Sequence, residues 1–289
     1  MKNSITLPVS KFINNDSEPA IFDLFEWDKT NIEYIDLILN CQNYNKVLIF
    51  YEGEGNHEID FIKYPIYNQS IHFVTARQVH LLSSISNASG CCILFSNEFL
   101  SFNNAKINFL RDLYFFQNGQ LKPILILSDE EFKIFHTLLE LLKKVFFEKH
   151  KFYRDILQLY MQAFILNAKQ FYDGFKIGVN KDDCTIVVNN FLNLVEKHYK
   201  EHYTLNQYAS LLHITSKQLS SFCKKYLGKN AYTLIEEKIV LEAKRLLFRT
   251  NKSIKEISFE LNFEDPAYFT RFFKKETGFA PHDFRKNVQ

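Results

Sequence analysis

Apolar positions along the chain recur with two different periods, and the change from one to the other falls near residue 125. Before it, short runs rich in β-branched and aromatic residues alternate apolar with polar, the two-residue period of a half-buried strand. Runs of this kind lie at 21–27, 47–51, 57–63, 70–75, 78–83 and 91–96. Within 57–63, which follows a turn signal at Gly53 and Gly55, Ile59 and Phe61 are expected to point inward and Glu58 and Asp60 outward. Many short strands separated by turn signals predict a small antiparallel sandwich or barrel. From Ser128 the period becomes helical. Ser128 and Glu131 form a capping box, in which each side chain satisfies a backbone N–H of the other residue. The helix they open carries Phe132, Phe135, Leu138, Leu139 and Leu142 on one face, to about residue 149. A second helix over 152–172 has a stripe of Tyr153, Ile156, Leu157, Tyr160, Phe164, Ala168 and Phe171, which suits packing on the barrel, on the preceding helix or on a second copy of itself. The stretch 173–185, with Gly174, Gly178, Asn180 and a charged Lys-Asp-Asp run, is the natural linker. The chain is thus expected to divide into 1–172, the linker 173–185, and an all-helical 186–289.

Beyond the linker the helix signals become dense. Ser253 and Glu256 form a capping box, and Ile254, Ile257, Ser258 and Leu261 then share one face until Asn262 breaks the pattern. Asp265 and Pro266 start another helix at once, as an N-cap and a proline at the first helical position. Its apolar face is Phe269, Phe272 and Phe273, and its other face carries Tyr268, Arg271 and Lys275. Two short helices joined by a turn, the second half aromatic and half basic, describe a helix-turn-helix. The same arrangement occurs about 50 residues earlier. Thr204 with Gln207 and Thr215 with Gln218 are capping boxes, and Leu219, Phe222, Cys223, Lys224, Lys225 and Gly228 match Phe269, Phe272, Phe273, Lys274, Lys275 and Gly278.

Charge reinforces this division. The net charge is only +2, but from Phe191 onward there are 17 Lys and Arg against 11 Asp and Glu, leaving 18 against 22 before it. The basic excess lies with the repeated helices, where phosphate contacts would need it. Five cysteines, Cys41, Cys91, Cys92, Cys184 and Cys223, lack zinc-like spacing, and adjacent Cys91 and Cys92 point to opposite faces of a strand. They read as reduced thiols of a cytosolic protein. No signal-like start and no apolar run approaching ~18 residues is present, so a cytoplasmic protein without a membrane span is expected. No paired carboxylates, nucleophile triad or glycine-rich phosphate loop stands out, which argues against an enzyme. His57, His72 and His80 lie on strands and could converge in space, but no His-x-His pair is present and isolated histidines on strands are more often structural, so neither a metal nor a cofactor is expected.

The C-terminal hundred residues resemble the DNA-binding domain of AraC-type transcription regulators. The resemblance rests on Ser253-Ile254, Glu256-Ile257, Leu261-Asn262-Phe263, Asp265, Tyr268-Phe269, Arg271, Phe273-Lys274-Lys275, Gly278, Pro281 and Phe284-Arg285. Three positions depart from the family's pattern: Asn262 stands for glycine, Ser221 for arginine on the first recognition helix, and Lys238 for arginine on the connecting helix. The N-terminal strands are similar to the cupin-like effector domain that precedes many such DNA-binding domains. The resemblance implies an α+β protein: an antiparallel cupin-like barrel and helices, then two helix-turn-helix units. It further implies a sequence-specific regulator, an activator responding to a small effector, dimeric through the 152–172 helix and working with RNA polymerase on promoter DNA. Lys217, Gln218, Ser220 and Ser221 of the first unit and Ala267, Tyr268 and Arg271 of the second are the expected base-reading positions, with Lys224 and Lys275 nearer phosphate. A cupin-type enzyme carrying a DNA-binding module, and an adaptor whose helix-turn-helix units no longer touch DNA, are the competing readings.

Overall fold

The computed structural model describes residues 22–28, 44–76, 78–97, 99, 123–174 and 183–288. The chain separates into two compact units, Met1–Ile177 and Gly178–Gln289. Most of the expected linker, with Gly178 and Asn180, lies outside the described residues, as do Ile21 and Cys41. Gly174 and Asp183, assigned above to that linker, close one helix and open the next.

The first unit holds an antiparallel sheet of β1 (Phe22–Trp27), β2 (Asn45–Ile59), β3 (Ile62–Pro65), β4 (Ser70–Val74), β5 (His80–Phe95) and β6 (Ile124–Ile126). The strand order is β1-β5-β2-β4-β6, with β3 paired to the far end of β2. Among the described strands this path is open, with β1 and β6 at its ends. Several expected strands merge. The run at 47–51 and the start of that at 57–63 belong to one 15-residue strand, the rest of the latter turning into β3, and those at 78–83 and 91–96 belong largely to one strand of 16 residues. Gly53 and Gly55 do not end β2 but sit within it, where the register against β5 shifts repeatedly between Phe50 and Asn56. A Cβ on Gly55 would lie 2.8 Å from the Ser84 carbonyl oxygen, so glycine here admits a bulge and a close backbone approach rather than a turn. The turn comes at Asp60 and Phe61, both at positive φ (48° and 68°), the geometry of a two-residue hairpin. Phe61 therefore does not point inward from a strand. Asp60 is buried rather than outward, accepting from Gln78 Nε2 (2.7 Å) and the Val79 amide (3.2 Å).

Alternation along β2, β4 and β5 gives the sheet two apolar faces. Val47, Ile49, Ile71, Phe73, Cys91, Ile93 and Phe95 meet two helices, α1 (Asp129–Glu148) and α2 (Tyr153–Gly174). Leu48, Phe50, Val74, Cys92 and Leu94 form a second core with Phe25 and Trp27. The adjacent cysteines thus face opposite ways, and the four described cysteines are free thiols. Helix α1 begins at the capping box of Ser128 and Glu131 and buries Phe135, Leu139 and Leu142. The stripe expected on α2 packs inside this unit, with Leu157, Phe164 and Ala168 buried and Tyr153, Tyr160 and Phe171 against the same core. No helix of the described residues is long and apolar enough to cross a membrane.

The second unit is all-helical: α3 (Asp183–His198), α4 (Leu205–Leu211), α5 (Ser216–Leu227), α6 (Ala231–Arg249), α7 (Ile254–Glu260), α8 (Pro266–Thr277) and α9 (Pro281–Val288). One core, from Val188 and Phe191 of α3 through Leu234, Ile239 and Leu247 of α6 to Phe269 and Phe273 of α8, joins them. The chain is therefore an α+β protein in two units, as the change of period predicts.

Candidate nucleic-acid interface

Helices α4 and α5, and again α7 and α8, are helix-turn-helix pairs built on the same local chemistry. Capping boxes start α4 (Thr204, Gln207), α5 (Thr215, Gln218) and α7 (Ser253, Glu256). The start of α8 differs: the Asp265 carboxylate accepts from the amides of Ala267 (2.8 Å) and Tyr268 (3.1 Å). Each turn passes through one left-handed residue, His213 (φ 56°) or Asn262 (φ 61°). The following amide bonds back into the preceding helix, Ile214 to the Ala209 carbonyl and Phe263 to that of Ser258. Gly228 and Gly278, both left-handed, close α5 and α8.

Burial repeats as well. Leu219 and Cys223 on α5, and Phe269 and Phe273 on α8, are fully buried and fix which way each helix faces. Burial pushes the Cys223 thiol up to about 12, as befits a packing residue. The exposed residues of α5 are then Lys217, Gln218, Ser221, Lys224 and Lys225, and those of α8, 50 positions on, include Ala267, Tyr268, Arg271, Lys274 and Lys275. Every expected contact residue lies on these two faces except Ser220, which is half-buried beside the first. Gln218 is exposed, but its carbonyl oxygen is held by the Thr215 amide and hydroxyl, both at 2.9 Å.

Long-range packing adds neighbours that the local pattern does not contain. Lys275 lies 2.8 Å from Glu276 and 3.7 Å from Glu236 of α6, and its ammonium pKa is raised, chiefly by the Glu276 hydrogen bond. Exposed Tyr232, one turn before Glu236, joins the same corner; its phenol is pushed up by burial and by Glu236 and Tyr268. Arg271 is 3.7 Å from Asp265, and both side chains are largely in solvent. Such exposed pairs are weak and give way to a competing phosphate or base edge at little cost. The two helix-turn-helix pairs are tied by His202, whose Nε2 is 2.8 Å from the Leu261 carbonyl and whose ring meets Phe263. Within α6, Lys238 is buried between Glu242 (2.8 Å) and Glu196 (2.6 Å) and under the Tyr199 ring, so the lysine that replaces the usual arginine is a packing group. Arg285 clamps the C-terminal helix by donating to the carbonyls of Leu247 and Lys252.

A family model described as a helix-turn-helix domain matches residues 208–287, which contain both recognition helices. An uncharacterised HTH-type transcriptional regulator of Bacillus subtilis, YisR, is 33% identical over 94 residues, covering 32% of this chain and 33% of that protein. The arabinose operon regulatory protein of Salmonella typhimurium is 31% identical over 88 residues, 30% of this chain and 31% of that one. The C-terminal domain is thus similar to the helix-turn-helix domains of transcriptional regulators. Over nearly the whole length, the HTH-type transcriptional activator RhaS of Mannheimia succiniciproducens is 21% identical across 279 residues, 95% of this chain and 96% of that protein. The more identical relatives match over about a third of this chain, and the chain spans about a third of the length of the first two.

In the other unit, His57, His72 and His80 do meet, but as a hydrogen-bonded row rather than three nitrogens around one point. Among the described residues no group of three or more His, Cys, Asp or Glu is disposed to hold a metal ion.

Proposed function

We propose that the chain is a sequence-specific regulator of transcription that grips duplex DNA with α5 and α8 in successive major grooves, about one helical turn apart. The observation that carries this is the repeat in exposure: equivalent positions on the two recognition helices face solvent, and both stripes end in adjacent lysines. Arg271 is the strongest base reader, because its planar fork matches O6 and N7 of guanine. Ser221 stands at the equivalent place on α5, so the first unit contributes more through Lys217, Lys224 and Lys225 to phosphate, and the second carries most of the base discrimination. Lys224 and Lys275 sit at the ends of the stripes, where backbone contact is natural.

Activation is the reading that the RhaS-like relative supports, with RNA polymerase as partner and the cytoplasm as location. A small effector bound by the N-terminal unit is the expected signal, acting by favouring one arrangement of the protein over another. A homodimer through α2 completes the proposal.

Arg271→Ala tests the central claim. In a binding titration over a library of single-base variants of a selected site, it should cost about 1–3 kcal/mol of discrimination at one base position. Uniform weakening over all sequences would make Arg271 a phosphate contact instead.

A further inference from the structure

Two buried imidazoles, a half-buried one and a buried ammonium meet on the sheet face that packs with Phe50 and Trp27. Lys46 comes from the start of β2, His57 from its end, His72 from β4 and His80 from the start of β5. Lys46, His57, Ser70 and His72 are at most 1% exposed. Lys46 Nζ lies 2.7 Å from His80 Nε2, His80 Nδ1 lies 3.2 Å from His57 Nε2, and His57 Nδ1 lies 3.0 Å from His72 Nδ1. The row ends at Ser70, whose Oγ is 3.4 Å from His72 Nε2 and donates to the Tyr67 carbonyl at 2.6 Å.

Donor arithmetic fixes every proton in this row. An ammonium only donates, and a neutral imidazole has one donor and one acceptor nitrogen. Lys46 therefore donates to His80 Nε2, which places the His80 proton on Nδ1, facing His57 Nε2. His57 then carries its proton on Nδ1 and donates to His72 Nδ1, so that His72 donates from Nε2 to Ser70. These four contacts are satisfied by one set of neutral tautomers. An added proton on any ring turns an accepting nitrogen into a donor that faces another donor, beside a buried cation.

We propose that this row is an acid-sensitive latch: it joins β2, β4 and β5 while its imidazoles are neutral, and releases the sheet of this unit as pH falls below the ordinary histidine range, before the helix-turn-helix unit yields. Among the described residues, the ring partners of His57 are the other two histidines, and those of His72 are His57, Ser70 and the face of Phe50. Other titratable groups around this core are Lys46, Tyr44, Asp60 in the β2–β3 turn, Tyr64 on β3 and Cys92 on β5, and Asp60 is engaged by Gln78 and Val79.

Burial holds His57 well below its ordinary 6.5, reinforced by His72, His80 and Lys46, and burial lowers His72 to about 3. In the unfolded chain both rings take up a proton near 6.5, and in the folded chain they do not. The unfolded state thus binds more protons below that pH, so stability is full above about 6.5 and is lost as pH falls from there toward 3. Each ring contributes up to about tenfold in the folding equilibrium per pH unit, and the two together up to about a hundredfold. The second unit has no counterpart. Its buried polar residues among those described are Lys238, Glu242, Arg245 and Ser258. Burial raises Glu242, but Lys238 and Arg245 outweigh it and hold the carboxyl below the usual 4.5, so this unit's acid loss starts lower.

Trp27, the single tryptophan of the chain, reports on this core through Phe50, 5.5 Å away, whose ring in turn lies 5.0 Å from that of His72. Urea unfolding of the full chain, followed by Trp27 fluorescence, should show the folding equilibrium dropping up to about a hundredfold between pH 6 and 5. The double variant His57→Gln, His72→Asn keeps polar partners without titrating rings, and should lose most of that slope. Equal slopes in the two proteins would overturn the latch. Should the variant not fold, nitrogen-15 spectra of the histidine rings in the wild-type chain decide the matter. Nδ1–H tautomers at His57 and His80, Nε2–H at His72, and no native-state titration of His57 and His72 above pH 5 support it. Ordinary titration of either ring near 6.5 in the folded protein overturns it.

Discussion

His213 and Asn262 occupy equivalent places in the two turns, and both carry φ near +60°, where an L side chain meets its own backbone. Asparagine and histidine are among the few residues that tolerate this region, because a short polar group finds local partners there. The departure from glycine at Asn262 is thus a conservative one: the turn keeps its shape, and the Phe263 amide keeps its 2.9 Å bond to Ser258. Alanine offers no such relief. Asn262→Ala should lower the unfolding free energy of the helix-turn-helix domain by about 1 kcal/mol, while Asn262→Gly should match or slightly exceed the native stability, since glycine relieves the strain but loosens the unfolded chain. Thermal unfolding of the three proteins checks the order; an alanine variant as stable as the glycine one would mean that the turn relaxes to another backbone.

At the scale of elements, legibility followed how local the determinants are. Every capping box expected at Ser128, Thr204, Thr215 and Ser253 is present, because its partners lie three residues apart and no tertiary contact is needed to pair them. The strands were harder. Gly53, Gly55 and the Asn87–Gly90 run carry turn chemistry but lie inside β2 and β5, where bulges between two long strands use the same residues. The row of histidines was beyond local reasoning, since residues 15 to 34 positions apart meet only through strand pairing. The corner of Tyr232, Glu236 and Lys275 likewise depends on α6 meeting α8. On α2 the visible stripe is consumed by its own unit, which leaves Leu159 and Leu166 exposed seven residues apart on another side, with Phe152 exposed in the turn just ahead of the helix. That spacing puts the two leucines near one line along the helix, the arrangement a symmetric helix pair requires. If α2 mediates the homodimer, Leu159→Asp with Leu166→Asp should convert dimer to monomer in sedimentation experiments. The unfolding midpoint of the monomer should change little, because neither side chain belongs to the core. Retention of the dimer would place its interface elsewhere.

For the whole molecule, the described apolar residues divide into cores that belong to one unit or the other: two on the faces of the N-terminal sheet and one uniting the seven C-terminal helices. The C-terminal core reaches from Val188 to Phe284 with its caps, clamps and buried ion pairs internal to it, including Arg285 on Leu247 and His202 on Leu261. A fragment of residues 178–289 should therefore fold alone with one cooperative transition, and its basic faces should suffice for DNA. Because phosphate neutralisation releases counterions, the logarithm of its affinity should fall with the logarithm of salt at a slope near −0.9 per phosphate contacted. Lys217, Lys224, Lys225, Lys274 and Lys275 would give five such contacts if all engage, hence a slope of about −4 to −5. Replacing Lys224 and Lys225 by glutamine should reduce its magnitude by about 2 without shifting base preference. A slope near zero for a folded fragment would remove the electrostatic basis of DNA binding and favour an adaptor. An intact slope in the fragment, with affinity rising only when the N-terminal unit is present, would assign the remaining strength to pairing of two domains, since linked sites multiply affinity without new contacts to DNA.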